Sequence, residues 1–465
     1  MSIKLVDTKD FRPAVAIVGA GASGTLLAMH LLRAGNVRVI LIERGARAGR
    51  GVAYGTSFPG HLLNVPAASM SGLPDDPGHF LRFVRERHDE AAEPTMFVPR
   101  MVYGAYLESL LAESEGIAAP GASLERRRGE VVDVSGGLLT LTDGSRLRAD
   151  HIVLALGNLP PPDPALPEGT WPGDPSRYVR DPWSPGALDH RAPGPVLLVG
   201  AGLTMVDVAL QLAAREPEQR IVALSRSGLL PHVHRAGGAP PSSGVAVPDP
   251  TPSLPALLRF VRASAAVAEV GGGDWRDAVN ALRPVTAELW AALPRAEQRR
   301  FLTRLARYWD VHRHRLAPGV ATAVDELRRN GRLELTSGRM RSVTPEGAGL
   351  LVRVLERRSG SERSVRVSSI VNCTGPNGDV LGGGSSLLDA LCASGAARPH
   401  PLALGLDTRA DGAVRDAHGR ASERLFAIGP LRRGELWEST AIPEIRRQAE
   451  ALAQRLVSQR TLAYS

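Results

Sequence analysis

Two glycine-rich turns in this chain have the residue types and spacing to cradle the phosphates of dinucleotides. The first, Gly19-Ala20-Gly21-Ala22-Ser23-Gly24, follows the apolar run Ala14-Val15-Ala16-Ile17-Val18. The second, Gly200-Ala201-Gly202-Leu203-Thr204-Met205, follows Val196-Leu197-Leu198-Val199. Between a strand and a helix, the first glycine permits a tight turn, the second lets backbone approach a pyrophosphate, and the third lets the helix pack closely. The helix N-terminus then turns its free N–H groups and positive dipole end toward the phosphates. Two such turns predict two dinucleotides in one protein, and so hydride transfer from a nicotinamide to a flavin.

The elements around each turn decide which dinucleotide it takes. After the first, Thr25 to Leu32 reads as a helix stopped by Gly35, and the strand Val37 to Ile42 delivers Glu43, where an acid meets ribose hydroxyls. We assign this site to FAD, with Gly19, Gly21, Ser23, Gly24, Glu43 and Arg44 as its contacts. After the second, Met205 replaces the third glycine, and the strand Ile221 to Leu224 ends in Ser225-Arg226 rather than an acid. A hydroxyl and a guanidinium suit a 2′-phosphate, so this site is predicted to take NADPH through Gly200, Gly202, Leu203, Thr204, Ser225 and Arg226.

Composition excludes several other chemistries. The chain has 465 residues, a net charge of +8 and only two cysteines. Those cysteines, Cys373 and Cys392, are too far apart in sequence for the redox pair that a disulfide-reducing flavoprotein needs. The arginines are dispersed and no basic run is interleaved with aromatics, which argues against nucleic acid. His232/His234 and His312/His314 are spaced to face apart on a helix, there is no zinc spacing, and metal binding is not expected. No apolar run reaches membrane-spanning length, and the start, Met1 to Asp7, lacks a basic-then-apolar leader, so we expect a cytoplasmic protein. Oligomeric state is left open, with a homo-oligomer compatible.

The expected fold class is α/β, with two Rossmann-like dinucleotide-binding domains. The FAD domain is discontinuous, at 1–187 and 333–465, and the NADPH domain spans 188–332 with a helical insert at about 255–330. Helices are predicted at about 78–90, 100–115 and 442–458. A Gly/Pro/Ser-rich loop is predicted at 236–254. The apolar strands before Gly375-Pro376 and Gly429-Pro430 end in glycine-proline, and Gly429 and Pro430 are read either as a plain strand end or as backbone turned toward the flavin edge. Val132, Gly157, Thr440 and Ala441 complete the cofactor-binding candidates. Aromatic residues make up only 4% of the chain, so a large stacking pocket is not expected.

On these residues the chain resembles the two-dinucleotide flavoproteins that include the flavin-dependent N-hydroxylating monooxygenases. Gly51-Val52-Ala53-Tyr54-Gly55-Thr56, His61-Leu62-Leu63-Asn64-Val65-Pro66-Ala67, Trp309-Asp310-Val311-His312-Arg313-His314-Arg315 and Trp437-Glu438-Ser439-Thr440-Ala441 are similar to a bacterial FAD/NAD(P)-binding group. That group contains L-aspartate N-monooxygenases and FAD-dependent urate hydroxylases. The resemblance implies that NADPH reduces FAD and that a C4a-(hydro)peroxyflavin then passes one atom of O2 to a small nitrogenous substrate, such as an anionic amine or amino acid. It places Asn64 beside the flavin ring. Arg313 and Arg315 become the candidates for clamping a substrate carboxylate. The alternatives are an NAD(P)H dehydrogenase or reductase, and a purine hydroxylase.

Overall fold

The computed structural model describes residues 12–189, 191–235 and 253–458. The start of the chain and most of the 236–254 loop therefore lie outside the described residues. A six-stranded sheet holds the first glycine turn. Its order is Ala413–Arg415, Ala421–Ala427, His151–Leu154, Ala14–Val18, Arg38–Glu43 and Ser123–Arg128. Only the Ala413–Arg415 edge runs antiparallel. The apolar strand Ala14–Val18 lies inside this sheet because both its faces must be covered. On one face, the helix Ala22–Ala34 buries Leu26, Leu27, Met29, Leu31 and Leu32 completely, against Arg100–Gly116 and the final helix Ile442–Ser458.

A seven-stranded sheet holds the second turn, in the order Glu362–Val367, Gly349–Glu356, Leu333–Glu346, Ile221–Ser225, Val196–Val199, Ser369–Asn372, Tyr178–Val179. This corrects the expected domain boundaries. Residues 333–372 and 178–179 belong to the NADPH-side sheet, not to the FAD domain. The helix Pro318–Arg329 returns the chain from the insert into a strand whose Leu333 pairs in parallel with Ile221. The insert is therefore the long crossover of a βαβ unit, and the sheet continues past it. The insert itself is helical as expected, from Leu254–Val270 to Ala306–Arg313.

Each glycine turn is pressed against the end of the neighbouring parallel strand. Gly19 has φ of +102°, and a Cβ there would lie 2.4 Å from the Ala155 carbonyl oxygen. Gly200 has φ of +129°, and its Cβ would lie 2.2 Å from the Cys373 carbonyl oxygen. Only glycine satisfies both the backbone angle and the approach.

The two sheets are joined across a polar seam. Arg100 opens the helix Arg100–Gly116 and pairs with Asp207 of the helix Leu203–Arg215 at 2.8 Å, with side chains 16% and 8% exposed. Burial pushes the Asp207 carboxyl up, against the pull of Arg100. Two histidines cross the seam in opposite directions. His61 Nε2 lies 3.1 Å from the Asp207 carbonyl oxygen, and His234 Nε2 lies 3.0 Å from that of Asn64. A carbonyl only accepts, so both Nε2 atoms carry the proton, and His61 Nδ1 accepts from the Thr56 hydroxyl at 2.7 Å. Burial keeps both rings neutral, lowering His234 to about 4.

Removing one partner of a buried pair strands the other charge, at a cost of about 3–5 kcal/mol. Asp207→Ala should lose roughly that much stability in urea unfolding. Arg100→Ala/Asp207→Ala should cost less than the two single losses added together. Additive losses would show that the pair does not hold the seam.

Candidate dinucleotide and substrate site

The first glycine turn is shaped to receive a pyrophosphate. A Cβ on Gly21 would meet only the Gly51 Cα, at 3.6 Å, so the space above it is open. No side chain caps the helix Ala22–Ala34 at Gly21, which leaves its first-turn amides for a ligand. A Cβ on Gly24 would fall 1.9 Å from the Gly19 carbonyl oxygen, the close packing predicted for the third glycine. Glu43 accepts the Ala20 and Gly45 amides at 2.8 Å each and sits at the end of its strand. Arg44 is exposed, 3.9 Å from Glu130. Val132 sits at a register slip between Val131 and Asp133.

Gly429, with φ of +75°, packs so closely on the first turn that a Cβ would come 2.5 Å from Ser23 Oγ. Its N–H donates to Gln448 Oε1 at 3.1 Å, so Gly429 positions backbone here and its amide is engaged by protein. Ala441 accepts the Glu444 and Ile445 amides and caps the final helix. These residues fit FAD: an open glycine cradle, an uncapped helix and a carboxylate at the strand end.

The second turn opens onto a cavity of about 400 Å³. Gly200, Gly202, Leu203 and Thr204 line it, together with Gly157, Pro430 and Thr440. Nothing lies within 4 Å of a Cβ built on Gly202, and no side chain caps the helix Leu203–Arg215 there. Ser225 Oγ accepts the Gly228 amide at 3.0 Å, which shapes the following turn. Arg226 is exposed and has no ion pair among the described residues. This set fits a phosphorylated nicotinamide dinucleotide.

The insert and the C-terminal segment supply the cavity's ionisable side chains. Asp310, Val311 and His314 come from the helix Ala306–Arg313 and its end, and Arg433, Trp437 and Glu438 from the C-terminal segment. The Arg433 guanidinium lies 4.5 Å over the Trp437 ring and has no ion pair among the described residues. Trp437 adopts φ of +58°, uncommon for a bulky residue, and stacks at 5.0 Å on Trp290 of the insert. The His314 and Asp310 side chains keep 36% and 44% exposure, and the protein packed around them lowers His314 to about 4 and raises Asp310 to about 6 by desolvation.

Three expected site residues lie elsewhere. Arg313 pairs with Glu438 at 3.2 Å and lies 4.0 Å from Glu444, whose oxygens also take the Arg283 guanidinium at 2.6 and 3.0 Å. Arg315 is 3% exposed and donates to the His312 carbonyl at 2.7 Å and to Asn280 Oδ1 at 3.1 Å. Arg313 ties the insert to the C-terminal segment, Arg315 ties parts of the insert to each other, and neither lines the cavity where a carboxylate clamp was expected. Asn64 does not line the cavity, and its carbonyl belongs to the seam. Sequence reasoning missed Arg433 and Asp310. Asp310 stands inside a quoted motif, beside the more conspicuous arginines.

The scarcity of aromatics also misled. Four of the six tryptophans, Trp275, Trp290, Trp309 and Trp437, line one apolar cavity of about 580 Å³ in the insert. Trp437 borders both cavities, and the helix Ala306–Arg313 separates them, with Trp309 and His312 on one side and Asp310 on the other. Cys373 is buried, and burial pushes its thiol far up. Among the described residues no cluster could hold a metal ion, and no helix is long and apolar enough to cross a membrane.

Comparison with known proteins places this architecture. Solved structures similar to the chain include ornithine hydroxylase PvdA from Pseudomonas aeruginosa in its reduced form, at 15% identity and a TM-score of 0.64, covering 96% of this chain and 99% of that one. Another is the ornithine N-hydroxylase KtzI from Kutzneria sp. 744 with reduced FAD, NADP⁺ and L-ornithine, at 14% identity and a TM-score of 0.60, covering 97% and 100%. The bacillithiol disulfide reductase Bdr from Bacillus cereus shares the fold at 14% identity and a TM-score of 0.52, covering 97% and 100%. The fold thus serves more than one chemistry. No curated protein matches the chain. Residues 16–159 match the family model described as FAD-NAD(P)-binding, and the chain as a whole shares the fold of these solved structures.

Proposed function

We propose that this protein is an NADPH- and FAD-dependent monooxygenase that places one oxygen atom on the nitrogen of a small amine-bearing acid. The observation that carries this reading is the cavity where the second glycine turn, Gly157 and Pro430 meet under a wall of ionisable side chains from the insert. A reductase feeding a partner protein or a quinone needs an accessible flavin edge. Here the insert and the Trp437 stack wall the junction, which favours chemistry protected from water. The neighbours PvdA and KtzI, described as ornithine hydroxylases, support the same reaction class.

FAD, when reduced by NADPH, supplies the activated oxygen. The chain's own residues do the rest. Gly21 and the amides of the helix Ala22–Ala34 hold the FAD pyrophosphate, and Glu43 faces its ribose. Gly202, Leu203 and Thr204 hold the NADPH pyrophosphate, while Arg226 pairs with the 2′-phosphate. Arg433, 4.5 Å over the Trp437 ring, takes the substrate carboxylate, since it lines the cavity and Arg313 and Arg315 do not. The absence of a redox cysteine pair sets the chain apart from disulfide reduction.

NADPH and oxygen consumption, measured together across a panel of amino acids, amines and purines, tests the reading. An amine-bearing acid should accelerate both and suppress peroxide release. Faster anaerobic turnover with a quinone than with oxygen would replace the reading with a reductase. Gly21→Leu protein should purify colourless, whereas full retention of FAD would move the pyrophosphate elsewhere. Arg226→Ala should weaken NADPH binding by roughly 10- to 100-fold, the scale of a charge-assisted contact, and leave NADH nearly unchanged. Equal losses for both would remove Arg226 from the 2′-phosphate site.

A further inference from the structure

The carboxylates around the substrate cavity are not alike. Glu438 has both oxygens engaged, by Trp309 Nε1 at 3.1 Å and by Arg313 at 3.2 Å. Glu444 is held by Arg283. Asp310 lines the cavity, and no side-chain hydrogen bond to its carboxylate occurs among the described residues. Its nearest cationic candidate is His314 Nε2 at 4.0 Å, a ring that burial keeps neutral. Asp310 also sits near the C-terminus of its helix, where the dipole disfavours an acid. Apart from this long contact to a neutral ring, the Asp310 carboxylate has no protein partner among the described residues, and its side chain is 44% exposed at the cavity.

We infer that Asp310 binds the substrate's ammonium group and takes its proton, so that the nitrogen meets the oxygen donor as a free amine. This rests on the N-oxygenating reading above. An alkylammonium with pKa of about 10 has no free electron pair near neutral pH, and nitrogen can attack an electrophilic oxygen only through that pair. In the step, one N–H bond breaks, its electron pair stays on nitrogen, and the proton forms an O–H bond on Asp310. Nothing is oxidised or reduced, and the proton leaves through water in the cavity.

The surroundings suit this task. His314 at the helix end, Arg433 from the C-terminal segment and Glu438 beside it are the ionisable groups facing Asp310. Burial is the largest influence on Asp310 and raises its carboxyl; Glu438 adds to the rise, and Arg433 opposes it. With a carboxyl near 6, Asp310 is ionised in mildly alkaline solution and is a better proton acceptor than an ordinary aspartate. Arg433 and Asp310 also form a pair of opposite charges in one cavity, which suits a substrate carrying both carboxylate and ammonium.

The test titrates FAD-loaded protein calorimetrically with L-ornithine, L-aspartate and 1,5-diaminopentane as probes, over pH values on both sides of 6, in buffers of different ionisation enthalpy. At least one probe should bind with affinity that falls as pH drops through about 6, where Asp310 becomes neutral. Asp310→Asn should weaken that probe about tenfold or more and abolish the low-pH limb, and Asp310→Glu should restore the limb. Binding of every probe independent of Asp310, or an Asp310→Asn protein that keeps the limb, would overturn the inference. N-oxygenated product, assayed separately with NADPH and oxygen, tells the two claims apart. Product formed by Asp310→Asn at the parental rate removes Asp310 and leaves the reaction class standing. Asp310-dependent binding with no N-oxygenated product from any probe removes the reaction class, and with it the proton transfer.

Discussion

The Arg100–Asp207 pair across the seam is the constraint on which the rest of the structure depends. A dinucleotide turn works alone, but hydride transfer needs two turns held at one distance and angle. Asp207 lies in the helix that starts at the second turn. Arg100 starts the helix that packs against the helix of the first. The pair therefore ties the two nucleotide helices through one short path. The reciprocal bonds of His61 and His234 add direction to it, because each neutral ring donates to the backbone of the opposite domain. Neutral rings suit a buried seam, since neither adds an uncompensated charge to the pair.

A second tie closes the site. The insert reaches the C-terminal segment through Arg283–Glu444, Arg313–Glu438 and the stack of Trp290 on Trp437. With the bond from Trp309 Nε1, these contacts engage Arg283, Arg313 and both oxygens of Glu438. Among the described residues, one acid on the cavity wall, Asp310, has only a 4.0 Å contact to the neutral His314 ring, and one guanidinium, Arg433, has no ion pair. Structural and chemical charges are thus separated by partner: those with protein partners build the wall, and those without face the cavity.

The locally encoded parts of this account were legible in the sequence. Glycines at fixed spacing between an apolar strand and a helix define a turn with little outside help, and Gly19, Gly24 and Gly200 meet the contacts that their spacing implies. The final helix and the helical insert were legible from their hydrophobic periodicity. Pairing was not. The strand Leu333–Glu346 joins the second sheet across the whole insert, and sequence carries no local mark of which sheet accepts it. Arg313 and Arg315 stood out by residue type, yet their roles depend on Glu438, Asn280 and the His312 carbonyl, which are placed by tertiary packing. The apolar cavity was hidden for a related reason. Composition counts tryptophans but not their convergence on one place.

The central claim is that an oxygen atom from dioxygen reaches a substrate nitrogen in the cavity at the second turn. The most direct measurement is turnover of the FAD-loaded protein with NADPH and an amine-bearing acid under heavy-isotope dioxygen in ordinary water, followed by mass spectrometry of the product. The account predicts the heavy isotope in a new N–O bond, with one NADPH consumed for each oxygen transferred. Heavy oxygen recovered only in hydrogen peroxide, with the amine unchanged across the substrate panel, would contradict it.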